Sequence, residues 1–146
     1  MLAFPSSLLS FTTMKKALFA VFLLGSAHLV GAQSVWATDF VKTKEGQYDN
    51  YLRSLAANWE KARIKAIELG YVKAYRVLTL PGNPEWDVVL MTEYADRASF
   101  DRREEHFSEV FKLVDPDGPT LIDGKRARQL ADILFSKEFS SPIFSK

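Results

Sequence analysis

The chain of 146 residues has no cysteine. That excludes disulfides, thiolate metal sites, cysteine nucleophiles and a lipoprotein anchor together. It has only two histidines, His28 and His106. One of them falls in an N-terminal leader, and a single His cannot make a two-His metal site. No G-x-G-x-x-G and no phosphate-binding loop is present. No serine sits in a nucleophile-elbow context. Strong charge is missing as well. The formal net charge is +1, too little to hold nucleic acid by phosphate neutralisation.

What is present begins with an address. Met14-Lys15-Lys16 is a positive n-region, Ala17 to Leu24 an apolar h-region, and Val30-Gly31-Ala32 a small-residue cleavage pattern before Gln33. Gly25, Ser26 and His28 interrupt the apolar run, which is short for a membrane span. Residues 1–13 fit no part of a signal peptide, so translation is expected to begin at Met14. The alternative is an uncleaved anchor. Residues 1–32 therefore read as leader and secretory signal peptide, cleaved after Ala32, and 33–146 as one domain, secreted or periplasmic, with no stable membrane anchor after cleavage. That domain carries 17 basic and 18 acidic side chains. Without disulfides, it depends on core packing or on a second subunit.

Within the domain, Ser34 to Lys42 alternates as a strand, with Trp36, Thr38 and Phe40 on one face and Val35, Ala37, Asp39 and Val41 on the other. Thr43 is expected to cap a helix from about Glu45 to Leu69, ended by Gly70. Its apolar stripe is Tyr48, Leu52, Leu55, Trp59, Ala62, Ala66 and Leu69. Tyr71 to Leu80 is a second strand. Pro81-Gly82-Asn83-Pro84 turns the chain into a third, Trp86 to Tyr94. Asp96 stands at the N-cap of a helix running from Arg97 to about Val114. A short helix or turn is expected within 121–130, and Asp132 to Ser140 is the last strand.

The order β-α-β-β-α-β with right-handed crossovers implies an α+β, ferredoxin-like fold: a four-stranded antiparallel sheet with two helices on one face. Both faces of nearly every strand are apolar. The uncovered face is expected to pack on a second copy, giving a homodimer through the sheet.

The stretches VWATDFVKTKEGQYDNYL and WDVVLMTEYADRASF resemble the dimeric α+β barrel superfamily, in its antibiotic-biosynthesis-monooxygenase-like branch. In the first, a strand runs through a Gly-containing turn into a long helix. In the second, an apolar strand ends in an aromatic, and a small-acidic turn opens a helix. The resemblance spans almost the whole domain. It implies the fold, the dimer and a monooxygenase-like or isomerase-like action on, or binding of, a small hydrophobic or aromatic molecule. Such relatives need no metal or flavin, because the substrate's electron-rich ring activates oxygen and the protein supplies shape and a base. No cofactor is predicted, and no metal.

The candidate catalytic residues are His106, Asp39 and Arg76, with Glu93 a further choice of base. Trp36, Phe40, Trp59, Tyr75 and Met91, with Tyr71, are expected to line an aromatic cavity between sheet and helices. Each has a plainer alternative. Aromatics fill cores. The strand charges sit at strand ends or pair across a dimer. His106, about 110° off the stripe centred on Phe100, is expected to be a partly exposed helix residue. Some relatives bind haem through a His on this helix, further along than His106, which keeps haem binding as an alternative. So is a non-catalytic ligand-binding or structural module.

Overall fold

The computed structural model describes residues 33–141. The predicted leader and signal peptide, 1–32, lies outside the described residues. Among the described residues no helix is long and apolar enough to cross a membrane.

β1 (Val35–Thr43) leads into α1 (Tyr48–Ser54), a π-helical stretch (Leu55–Glu60) and α2 (Lys61–Glu68), which form one rod. β2 (Ala74–Thr79) and β3 (Val88–Tyr94) follow as a hairpin. α3 (Arg97–Asp101) and α4 (Arg103–Val114) form the second rod. α5 (Ala127–Leu130) runs into β4 (Ala131–Ser140). The sheet order is β2-β3-β1-β4, and the three pairings are antiparallel. With helix rods on one side, this is the ferredoxin-like topology expected from the sequence.

The boundaries show what local chemistry did. Asp96 is the N-cap of α3, its Oδ1 accepting from the Ser99 N–H at 2.7 Å. The first rod is not capped by Thr43, which ends β1 and donates its hydroxyl to Asp87 Oδ2 at 2.6 Å. Gly46 (φ +68°) turns the chain, and Gln47 takes the cap position. β2 starts three residues later than expected, because Tyr71 leaves the strand line and lies on α4. The second rod is broken at Arg102, whose ψ of 7° leaves the helical range. Between 121 and 130 only the last turn is helical. Ahead of it, Ile122 and Lys125 bridge around Asp123 (φ 48°) and Gly124 (φ 74°), the left-handed pair a tight two-residue hairpin turn demands.

Strand alternation sorts the sheet's two faces. Toward the helices point Val35, Ala37, Asp39 and Val41, and their β3 partners Tyr94, Thr92, Leu90 and Val88. Two packed clusters form there. One joins Val41, Val88 and Leu90 to Tyr51, Leu55 and Leu130; the other joins Val35 and Tyr94 to Ala62, Ala66, Phe100 and Val110. Val110 is fully buried. Val110→Ala removes two buried methyl-sized groups and is expected to lower stability by about 2 kcal/mol, read as a shift in the urea midpoint with unchanged slope. An unchanged midpoint contradicts the packing of α4 on α2.

The opposite face carries Trp36, Phe40, Met91, Leu78, Phe135 and Phe139. No described element covers it. Leu78, Phe135 and Phe139 are each between 44% and 51% exposed.

Candidate functional site

Between the two core clusters the helix side of the sheet turns polar. Ala37, Asp39 and Thr92 replace large apolar groups there, and beyond them β4 offers Ser136 and Glu138 on a strand exposed along almost its whole length. The helices do not close over this edge. A cleft of about 410 Å³ opens, with Tyr94, Phe100, Phe107 and Phe111 supplying rings, and Arg63, Arg103 and Glu104 supplying charge.

Asp39 stands in mid-strand on the cleft wall, and the Ser136 hydroxyl donates to its Oδ1 at 2.5 Å. Arg63 comes from α2. Its guanidinium carbon lies 4.3 Å from the ring centroids of both Trp59 and Phe107. Its Nε donates to Thr92 Oγ1 at 3.3 Å. Part of the residue stays exposed, but burial of the charged end pulls its pKa from 12.5 down to about 10, opposed by Tyr94 and Asp39. It is still a cation at neutral pH. Tyr51, beneath the same wall, is pushed up to about 12 by burial and by the negative charge of Asp39 and Asp87. At the rim, the Arg103 guanidinium covers the Phe100 ring at 4.2 Å and bonds the Phe100 carbonyl at 3.1 Å.

Of the expected catalytic residues, only Asp39 is on this cleft. His106 is not partly exposed. It is buried, 7% exposed, and stacked on Tyr71 with ring centroids 4.0 Å apart. Its Nδ1 has no hydrogen-bond partner among the described residues, and Tyr71 is held by its hydroxyl donating to Glu109 at 2.6 Å. The break at Arg102 explains the difference, since it resets the helical phase assumed from Phe100. Arg76 is exposed on the open face.

The expected aromatic lining is split by the sheet. Trp36, Phe40 and Met91 lie on the face away from the helices, so they do not share a cavity with Asp39. Phe40 instead stacks on Phe135 at 4.6 Å and meets Trp86 edge-on at 5.4 Å. Trp59 and Tyr75 are on the helix side and pack edge to face at 5.6 Å, with the Tyr75 hydroxyl donating to Glu60 at 2.7 Å. Neither is on the cleft wall, though Trp59 reaches it through Arg63. Other strand charges find local partners: Glu93 with Lys73 at 3.6 Å, and Glu138 with Arg97 at 2.8 Å. Among the described residues no group of three or more His, Asp or Glu is placed to hold a metal ion.

Arg63 escaped the sequence reading. Its signal was a charge four residues after Trp59, inside the apolar stripe rather than opposite it.

No protein-family model matches the chain, and no curated protein matches its sequence. Solved structures do follow a similar course. A dimeric ferredoxin-like protein from an uncultured marine organism has 10% identity and a TM-score of 0.49, over 80% of this chain and 92% of its own. A candidate antibiotic biosynthesis monooxygenase from Chloroflexus aurantiacus has 12% identity and a TM-score of 0.46, over 75% and 93%. MupZ from Pseudomonas fluorescens has 12% identity and a TM-score of 0.46, over 73% and 70%. The fold assignment itself rests on the strand order and helix placement of this chain.

Proposed function

We propose that this chain is an exported homodimer that holds a small aromatic molecule in the cleft and oxidises it with molecular oxygen, without metal or flavin. Asp39 is the base. The observation that carries this is the meeting of one mid-strand carboxylate with four aromatic rings in a cleft of about 410 Å³, within the usual ~300–1,000 Å³ of ligand sites. A phenolic substrate seated there gives its proton to Asp39. The resulting electron-rich ring is the reductant for oxygen, as the sequence resemblance implies. The export rests on the residue 14–32 pattern, and the dimer on the uncovered apolar face.

The test is oxygen uptake by the purified protein with a panel of polycyclic phenols, in the presence of a chelator, alongside binding of the same panel. Turnover that Asp39→Asn reduces by about a hundredfold or more, with binding kept, supports the role. Binding without oxygen uptake for any phenol replaces the oxygenase with a non-catalytic carrier using the same cleft. Absence of any binding removes the cleft from the function.

A further inference from the structure

Arg63 is a feature of the cleft that packing alone does not explain. Of the other cations lining the cleft, Arg103 meets Glu104 at 3.8 Å, and Lys137, which has no carboxylate in ion-pair range among the described residues, is exposed on β4 where water solvates it; Arg97 nearby meets Glu138 at 2.8 Å. Among the described residues Arg63 has no carboxylate within ion-pair range. A guanidinium offers five N–H donors in a flat fork, and among the described residues the side chain of Arg63 donates to Thr92 alone. The two rings at 4.3 Å fix its plane, so the fork is oriented before anything binds. A partly desolvated cation whose nearest counter-charge, Asp39, acts only from beyond ion-pair contact costs free energy. An anion delivered by a ligand offsets that cost, and a planar one matches the fork in two parallel bonds.

From this geometry we infer that Arg63 is the anchor for the acidic group of the cleft's ligand, and that the ligand is a flat aromatic acid. The inference rests on the cleft reading above and narrows its substrate class. The carboxylates facing the cleft set the orientation. Glu104 and Glu138 each stand beside a guanidinium on the solvated rim, Arg103 at 3.8 Å and Arg97 at 2.8 Å, whereas Asp39 has only the Ser136 hydroxyl. The ligand's anionic end therefore turns to Arg63 and away from Asp39. A ring hydroxyl, a donor, is what suits the Asp39 end. The aromatic body lies along Phe107 and Phe111, the less buried rings of the cleft.

The experiment compares 6-hydroxy-2-naphthoate with its neutral isostere 6-hydroxy-2-naphthamide by titration calorimetry on the full chain. The acid is expected to bind about tenfold or more tightly, the usual worth of a charge-assisted bond in a sheltered site. Arg63→Gln is expected to bring the two to equal affinity, and Arg63→Lys, a point charge without the fork, to keep part of the preference. If either variant misfolds, the wild-type protein decides alone: the Arg63 Nε–H resonance shifts with the acid and stays in place with the amide. Ser136→Trp, on the exposed strand, fills the cleft and is expected to abolish binding of both. Equal wild-type affinities, still abolished by Ser136→Trp, overturn the anion anchor and leave the cleft standing. Failure of both probes to bind overturns the anchor and the cleft together.

Discussion

Asp87→Ala is expected to lower stability by about 3 kcal/mol, the usual cost of stripping one partner from a buried charged network. Asp87 sits where β1 ends and the β2–β3 connection returns. Its Oδ1 accepts from the Thr43 N–H at 2.9 Å, and its Oδ2 from the Thr43 hydroxyl at 2.6 Å and from Lys42 Nζ at 3.3 Å. Its own N–H donates to the Val41 carbonyl at 3.0 Å, and its carbonyl accepts from the Leu80 N–H at 2.8 Å. The side chain is 6% exposed, so water cannot replace what Ala removes. Thr43 is buried too and keeps an unsatisfied hydroxyl and N–H. For a domain of this size the melting temperature is expected to fall by roughly 10–20 °C. Asp87→Asn keeps one carbonyl acceptor and should fall between. If Ala costs no more than a surface substitution, the connection is not pinned here.

The same carboxylate gives the stability a pH signature. Burial pushes its pKa up, but the two Thr43 bonds and Lys42 outweigh it and hold the folded value below 3.8. A depressed carboxylate contributes stability that is fully present above its unfolded pKa and lost as pH falls through the folded one. Wild-type protein should therefore lose stability below about pH 4 more steeply than Asp87→Asn, and the gap between them should narrow there. Chemical denaturation at a series of acidic pH values reads this directly. Parallel losses in the two proteins contradict it.

The parts of the fold legible in the sequence are those set by neighbours in the chain. Asp96 ahead of Arg97 is a cap wherever the helix packs. Period-two alternation placed Asp39 opposite Trp36 and Phe40 before any contact was known. Asp123-Gly124 is an equally local turn signal, and the stretch 121–130, expected as a short helix or turn, holds a tight turn followed by one helical turn. What was not legible depended on helical phase. An i→i+5 stretch in the first rod and a break at Arg102 in the second each rotate the residues that follow. A wheel drawn through either one misplaces side chains beyond it. Leu69 was read into the core and is exposed, while His106 was read out of it and is buried. Arg63 follows the irregular stretch and faces a cleft that forms only when β4 pairs with β1. No local pattern holds that information. The aromatic cavity was misread for a different reason. The sheet itself separates Trp36, Phe40 and Met91 from Trp59 and Tyr75, residues alike in type but on opposite faces.

Phe135→Asp is expected to turn the proposed dimer into a monomer. On the open face Phe135 stacks on Phe40 at 4.6 Å, and Trp36 stands beside Phe139 in the pairing of β1 with β4. Aromatic groups bury ~150–250 Å² each; with Phe135 and Phe139 about half exposed and Trp36 and Phe40 half-buried in the single chain, these four leave roughly 300 Å² to bury, the centre of a standard interface of ~800 Å² per partner. At about 25 cal/mol per Å², that area is worth hiding from water. Two-fold symmetry brings every substitution in twice. One Asp per chain places two carboxylates in the dry centre, where each loses hydration without gaining a partner. The dimer dissociation constant should rise by about a hundredfold or more. Phe135 is 44% exposed within the single chain, so the fold itself should keep its circular dichroism and cooperative unfolding. Ile67→Asp, on the outer side of α2 at 39% exposure, is the control and should leave the dimer intact. Light scattering on the three proteins decides. If the wild-type chain runs as a monomer at high concentration, the sheet face has another occupant, and its aromatic pairs are the surface on which to look for it.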